Sequence, residues 1–555
     1  MSEGRPAYHL PLAGALAGLA AGDLLLALNS EQMNALSAAR LLLVAAAAGA
    51  FVFSPLLLLF PRARRPSRAG AAWSAGLLAA YGVFVEFQRQ ALHDFVPAGA
   101  RRVLVATAIA AFLSAAVIAV RATRGGLSAR TISIPLVLFL LPPFALRRAP
   151  ERRSPEASAA PLHAPRRNLL VVGLEGASWS LLTTYASEGA MPVVGRLLRE
   201  GTAGPLAGLA PYDRAALWTT AATGKRPLKH GVVSSRRWET PGGTFRLLPV
   251  LPGSPVPGSG RSLADTSAAR RSLTFWEILA SRGHEAAVLG WPASSPAREG
   301  LVLWASDAFF DGDASAAAAR PAEAAARARL FRVAANRLDR PLARSLVPQG
   351  LSEDVARLDP LRGAARDLTV AGAALAALPR GPLNVSALVL SGLAEAGALS
   401  GAAENSRYWG FSFPEKEAEA RAAALRAYYR FLDELLGEIL EREGRERMIC
   451  LFAPVGWGPP PTVEAISLFL RGQRPVASPD AARDGFVLFA GAGVRSGVRL
   501  TSASVLDLAP TLLVLAGEPL ARDMDGRVLA EVFDEQFTES ASVPIVSTFE
   551  ASGPQ

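Results

Sequence analysis

The sequence predicts two unlike parts: an all-α transmembrane region of about five apolar helices, then one large α/β domain whose mixed, mostly parallel sheet is sandwiched by helices. Three observations predict it. The chain has 555 residues, half of them hydrophobic, with a mean hydropathy of +0.25, high for a chain without membrane segments. The apolar surplus lies mainly before residue 148, in runs separated by arginine-rich loops. Beyond residue 165, short continuous apolar runs alternate with amphipathic ones, the pattern of buried parallel strands and the helices that cover them.

Leu10–Leu28, interrupted by Asp23, and Leu41–Phe60 are each long enough to cross a hydrocarbon core about 30 Å thick. Ala71–Val85 is a third candidate and Val103–Val120 a fourth, bracketed by Arg101, Arg102 and Arg121. Ile132–Leu146 is a shorter fifth, carrying Pro135, Pro142 and Pro143. No small-residue cleavage site follows Leu28 and more spans succeed it, so the first run reads as a span rather than a signal peptide. The loops holding Arg62, Arg64, Arg65 and Arg68, and Arg121, Arg124 and Arg130, belong on the cytoplasmic side. Five spans then put the large domain outside, whereas Arg147, Arg148, Arg152 and Arg153 favour the inside and fit four; both counts stay open. The expectation is a multi-pass protein of a bacterial inner membrane with an extracytoplasmic domain; the Ala, Arg, Gly and Pro excess resembles a high-GC bacterial proteome. Asp23 and Glu86 read as snorkelling or paired acids rather than a transport path.

The expected organisation is a membrane region over 1–148, a Pro/Ala/Ser/Arg linker over 149–165, the α/β domain over 166–535 with a helical insertion at about 311–345, and a C-terminal tail over 536–555. The net charge of +10 is almost wholly arginine, much of it beside the apolar runs, so it marks topology and excludes a nucleic-acid partner. A lone Cys450 excludes an intramolecular disulfide and a thiolate metal cluster.

Within the domain, "NLLVVGLEGASW" is a buried strand entering a glycine turn, "MPVVGRLLREG" and "SLTFWEILASRG" are helices ended by Gly201 and Gly283, and "EAAVLGWP" is another strand. Glu415 to Glu443 forms a long amphipathic helix, and "ERMICLFAP" and "GFVLFAGAG" are further strands. These blocks, with "LWTTAATGKRPLKHGV" and "SVLDLAPTLLVLAGEPLARDMDGRVL" in order, resemble the type I phosphodiesterase/nucleotide pyrophosphatase branch of the alkaline-phosphatase superfamily over about residues 168–533.

The resemblance implies an alkaline-phosphatase-like fold. In active relatives two divalent metals, usually zinc, are held by Asp and His, and a Ser or Thr nucleophile attacks phosphorus between them. Against that pattern the first Asp ligand becomes Glu175, and the nucleophile falls on Arg214, or on Asp213 with a one-residue shift. The Asp-x-x-x-His pair becomes Ala394 and Ala398, the Asp-His pair Pro454 and Val455, and the last His Ala481. No histidine follows His284, so no shift restores imidazole ligands to the C-terminal third. His230 and His284 match turn or surface positions, Asp507, Asp523 and Asp525 with Gly526 match capping and turn residues, and Asp307 matches a structural turn. Gly224 in "ATGKRP" lacks the spacing of a P-loop.

The expectation is a pseudoenzyme with no catalytic residues, no metal and no cofactor, serving a binding or scaffolding role; the alternative is an active phosphodiesterase or phosphotransferase-type hydrolase with an atypical metal site on Glu175. The expected partners are the lipid bilayer, an anionic or phosphate-containing ligand and an unspecified protein. Arg214, at a helix N-terminus with unpaired N–H groups, with Glu175 and Asp213, is the candidate ligand site. The competing expectation is that Arg214 pairs with those acids.

Overall fold

The computed structural model describes residues 68–91, 95, 98–123, 168–209, 212–240, 243–245, 261–264, 269–349 (except 314 and 316), 360–377, 383–396 (except 395), 414–443, 447–456, 485–540 and 543–550. They fall into two compact units, one formed by the N-terminal part with residues 236–264 and the other by the rest.

In the first unit the third and fourth apolar runs lie in helices, Arg68–Ala91 and Ala98–Thr123. Among the described residues no helix is long and apolar enough to cross a membrane. The first, second and fifth runs and the 149–165 linker lie outside the described residues. The helix pair buries Val85 and Leu104 together with small or polar side chains such as Thr107, Ala111 and Ser114, while Val83, Phe87, Ile109 and Leu113 are exposed. Gly82 gives Phe112 room: a Cβ there would lie 3.0 Å from its ring. Glu86 pairs locally with Arg89, whose Nε donates at 2.8 Å. Arg236–Thr240, Gly243–Phe245 and Arg261–Ala264 make a three-stranded antiparallel sheet.

The second unit is built on a ten-stranded sheet. In chain order its strands are β1 (Leu169–Leu174), β2 (Thr202–Ala207), β3 (Ala286–Trp291), β4 (Leu303–Ser306), β5 (Ala319–Arg320), β6 (Val385–Leu390), β7 (Met448–Ala453), β8 (Gly485–Ala490), β9 (Val498–Arg499) and β10 (Ala503–Ser504). Their spatial order is β9-β2-β8-β7-β1-β6-β3-β4-β5, with β10 also beside β2. The centre, β7-β1-β6-β3-β4, is parallel, and β8 and β5 are antiparallel to their neighbours. Every residue of β1, β3, β6, β7 and β8 is buried, as two-sided coverage requires of strands with continuous apolar sequence.

Helices α1 (Trp179–Ser187), α2 (Pro192–Glu200), α3 (Arg214–Thr223), α4 (Phe275–Ser281), α5 (Ala322–Arg329), α6 (Arg340–Leu346), α7 (Pro360–Ala377), α8 (Glu415–Glu443) and α9 (Leu508–Leu515) accompany the strands. Thr274 and Glu277 form a reciprocal capping box at the start of α4. Gly283 after α4 has φ +87°, as a glycine stop predicts. Gly201 after α2 is extended instead; glycine is needed there because a Cβ would lie 2.1 Å from the Phe489 carbonyl. The 311–345 insertion consists of β5, α5, a short turn of helix and α6.

The long helix α8 organises one face. Asp433 accepts from Val193 and Val194 N–H at 3.0 and 2.8 Å, capping α2 from across the interface. Tyr429 accepts from Ser178 N–H at 2.9 Å, and Tyr428 donates to Asp367 on α7 at 3.0 Å. On the other face Trp218 of α3 lies against β1, held among Trp291 and Phe452. A Cβ on Gly173 would sit 2.4 Å from the Trp218 ring. Gly173→Ala should therefore cost about 1–3 kcal/mol, because the ring is fully buried and cannot retreat. Chemical denaturation reads this as a lowered midpoint at unchanged slope, and an unchanged midpoint would contradict the packing.

Candidate functional site

The carboxyl ends of the central strands lie along one edge of the sheet, where open α/β sheets place their ligands. β1 runs into Glu175, whose N–H donates to the Leu390 carbonyl at 2.9 Å and whose side chain is buried. Gly176 follows at φ +89°, turning the chain toward Ser178, which caps α1. β4 ends at Ser306, and Asp307 follows as the first residue of a short helix.

Arg214 bridges these two strand ends. Its Nε and Nη2 donate to the two Glu175 oxygens at 2.6 and 2.9 Å, a bidentate fork, and its Nη1 donates to Asp307 Oδ2 at 3.1 Å. The same Asp307 oxygen accepts from Ala293 N–H at 3.3 Å, and Ala293 is the one non-glycine residue with positive φ, +55°, among the described residues. Such strain persists where its surroundings over-determine it. Burial pulls the Arg214 pKa down, but the charge and hydrogen bonds of Glu175, then the charge of Asp307, outweigh it and leave the guanidinium firmly protonated. Burial pushes the Asp307 pKa up, against the opposing pull of Arg214 and Arg366. Neither acid is a surface group, with side-chain exposures of 6% for Glu175 and 14% for Asp307, so each needs a partner.

An arginine at the first position of α3 opposes the helix dipole. Asp213 supplies the favourable charge: it caps α3 by accepting from Ala216 N–H at 3.0 Å, and it also accepts from Ser235 N–H at 2.7 Å. Asp213 thus faces the Ser234–Ser235 turn, not the Glu175 cluster. The expectation of unpaired N–H groups at this helix end is corrected here, since Ala215 N–H donates to Ser235 Oγ at 3.2 Å and Ala216 N–H to Asp213.

At the next strand end Ala394 is half-buried after β6, and beyond β7 Pro454 and Val455 are buried; Ala398 and Ala481 lie outside the described residues. Among the described residues no group of three or more His, Cys, Asp or Glu is placed to hold a metal ion. Two divalent ions need three or four donors each. Glu175 and Asp307 are engaged by Arg214, while Ala394, Ala398, Pro454, Val455 and Ala481 have no donor side chains, so this set does not fit a metal pair.

Two residues of this neighbourhood escape sequence reading. Asp307 reads as a structural turn, although an acid directly after a parallel strand is placed at the ligand end. Asp367 sits on the buried face of α7 with Ala364, Ala371 and Ala374, a pattern in which an acid stands out. It accepts from Gly392 N–H at 3.0 Å and from Tyr428, fixing the turn after β6. Burial pushes its pKa up to about 7 despite those hydrogen bonds.

The remaining candidates are structural. Asp507 accepts from Ser504 and Arg527 N–H, and Asp525 from Arg226 N–H, so both shape turns. Asp523 and Glu550 both receive Lys225 Nζ at 2.7 Å, so the tail is tied to the turn after α3. Gly224 is the left-handed C-cap of α3. His284 is buried rather than at the surface, paired with Glu518 at 3.0 Å. His230 is buried too: Val232 N–H donates to its Nδ1 at 3.2 Å, so its Nε2–H donates to Thr220 Oγ1 at 3.0 Å.

Burial, with Arg270 and Lys225 nearby, lowers the His230 pKa to about 3. A folded pKa below the unfolded value of about 6.5 gives stability that is intact above pH about 6.5 and lost as pH falls toward 3. His230→Gln should flatten the decline in Tm between those limits; an acid limb identical to wild type would remove His230 from it.

The family model for type I phosphodiesterase/nucleotide pyrophosphatase matches residues 169–449, just over half of the chain. Among solved structures, alkaline phosphatase PafA is similar at a TM-score of 0.41 and 12% identity, over 67% of this chain and 99% of that one. A putative sulfatase from Bacteroides thetaiotaomicron is similar at 0.40 and 14%, over 66% and 74%. A phosphonate monoester hydrolase from Silicibacter pomeroyi is similar at 0.36 and 13%, over 66% and 76%. No curated protein matches the chain. With the family pattern running from β1 to the start of β7, the chain belongs to the type I phosphodiesterase/nucleotide pyrophosphatase family.

Proposed function

We propose that this protein is a membrane-anchored member of its superfamily that no longer performs metal-dependent phosphodiester hydrolysis and serves a binding or scaffolding role at a bacterial inner membrane, its large unit extracytoplasmic. The carrying observation is the Arg214 guanidinium divided between Glu175 and Asp307. It occupies the position of the family's nucleophile, offers no hydroxyl or thiolate, and holds the acids that a cation would need. The outward apolar side chains of the 68–123 helix pair, and the alanines, Thr107 and Ser114 among the residues it buries, support anchoring, because lipid-embedded helices pack through small residues.

Arg214 acts here as an internal counter-cation. An anionic ligand would have to compete with two carboxylates for it, and one cation against two acids leaves the cluster net negative. Inorganic phosphate and pyrophosphate should accordingly show no calorimetric binding that depends on Arg214. The wild-type protein should hydrolyse bis-p-nitrophenyl phosphate with Zn²⁺ or Mg²⁺ no faster than metal in buffer. Two equivalents of tightly held metal, or metal-dependent turnover, would support the hydrolase alternative on Glu175. Arg214→Ala should lower stability by about 1–3 kcal/mol, less than loss of a fully buried pair because Arg214 is 35% exposed.

Sidedness is read by fusions. An alkaline-phosphatase reporter placed after Pro165 should be active and one near Arg65 inactive, as the arginine loops require. An inactive fusion after Pro165 supports four spans and a cytoplasmic unit.

A further inference from the structure

Beyond Asp311, which pairs with Arg366 beside Asp307, the insertion at 311–345 carries a run of exposed arginines. Between Asp311 and Val347, Arg327, Arg329, Arg332, Arg337, Arg340 and Arg344 are all exposed, against the exposed acids Asp311, Asp313, Glu323 and Asp339. Asp339 is committed to capping α6, accepting from Leu342 N–H at 3.0 Å. None of Arg327, Arg332, Arg337, Arg340 and Arg344 forms an ion pair among the described residues. The insertion turns its apolar side inward: Ala324, Ala325, Ala328 and Leu346 are buried in the main core. Its arginines are therefore the solvent face of a firmly packed element rather than a loose tail.

Apolar exposure coincides with this charge. Leu330 is 80% exposed, Val347 38% and Phe331 36%, and among the described residues Ile545 is the only other exposed large apolar side chain of the unit. At the foot of the insertion lies a groove of about 610 Å³, lined by Leu301, Ala319, Ala322 and Ala325 together with Arg320, Arg329 and the acid Glu299. Arg320 is paired with Glu299 at 2.7 Å and Arg329 lies over the Phe309 ring, so both guanidiniums are held in place at the rim.

Exposed arginines on the same insertion as a protruding leucine, beside a largely apolar groove, fit an amphiphilic anionic surface. We propose that the insertion docks on anionic phospholipid, its arginines against the headgroups and Leu330 reaching into the acyl boundary. Nucleic acid would satisfy the charge but leave Leu330 and the apolar groove without a partner. This goes beyond the anchoring reading, because the surface lies in the phosphodiesterase-type unit and its binding depends on lipid charge rather than on insertion.

The test uses the full chain in nanodiscs of phosphatidylcholine alone or with about one third phosphatidylglycerol, following the rate of tryptic cleavage after Arg332. Headgroup docking should slow cleavage about tenfold in the anionic discs, and high salt should abolish the difference. The variant Arg327→Glu/Arg337→Glu/Arg344→Glu should lose the protection with an unchanged melting temperature, all three side chains being exposed. Leu330→Ser should reduce it in part. Equal rates in the two discs, or protection that survives the triple reversal, would overturn the proposal, as would protection by heparin without any by the anionic lipid. A chain that leaves the discs refutes anchoring instead; sedimentation of that soluble protein with phosphatidylglycerol vesicles, but not with phosphatidylcholine vesicles, then decides the docking surface by itself.

Discussion

Two carboxylates held near one another at the ends of parallel strands are the constraint on which the cleft depends. Glu175 and Asp307 are both shielded from water, and such groups persist in the ionised form only if a cation shares them. In a metal hydrolase that cation is a reagent; here it is part of the chain, delivered from the start of α3. The consequences spread outward from it. Arg214 at a helix N-terminus requires Asp213 to supply the cap charge, Asp213 in turn fixes the Ser234–Ser235 turn, and Asp307 holds the positive-φ Ala293 through its backbone N–H.

The turns after β7 and β6 are held by close packing and by hydrogen bonds to a buried acid. Pro454 and Val455 close in apolar contact with Gly208, whose absent Cβ would lie 2.9 Å from the Pro454 carbonyl. The turn after β6 rests on Asp367, which takes Gly392 N–H and the Tyr428 hydroxyl, and Gly392 itself has no space for a side chain against Tyr428. Tyr429, one residue on, secures the turn after β1 through Ser178. Adjacent tyrosines of α8 thus hold the two strand-end turns that flank the cleft, a scaffold that places no demand on a metal.

Much of the α/β architecture was legible because it depends on local pattern. Continuous apolar runs became the buried central strands, and the helix expected over Glu415–Glu443 has those bounds. The glycine stop at Gly201 was legible in place but not in cause, since it answers to the Phe489 carbonyl on another strand. The same limit applies at the site. Arg214 and Glu175 stood out from the family pattern, but their partner Asp307 lies 93 residues along the chain, and nothing in local composition distinguishes a strand-end acid in a turn from one aimed into the cleft. Asp213 shows the reverse error: adjacent to Arg214 in sequence, it faces away as a cap because N-cap geometry turns its side chain back onto the helix.

Charge counting links these observations to retention of the fold. Two carboxylates shielded from water at neighbouring strand ends would each destabilise the fold if left unpaired. Here a single guanidinium bridges Glu175 and the neighbouring Asp307, while Ala394, Pro454 and Val455 at the next strand ends bring no charge of their own. Arginine suits that task better than lysine, because its planar fork meets Glu175 with two parallel donors and still presents a third nitrogen to Asp307. A point-like ammonium could approach both acids, but it could not fix the orientation of either carboxylate plane, and the Asp307 contact to the strained Ala293 turn depends on that orientation.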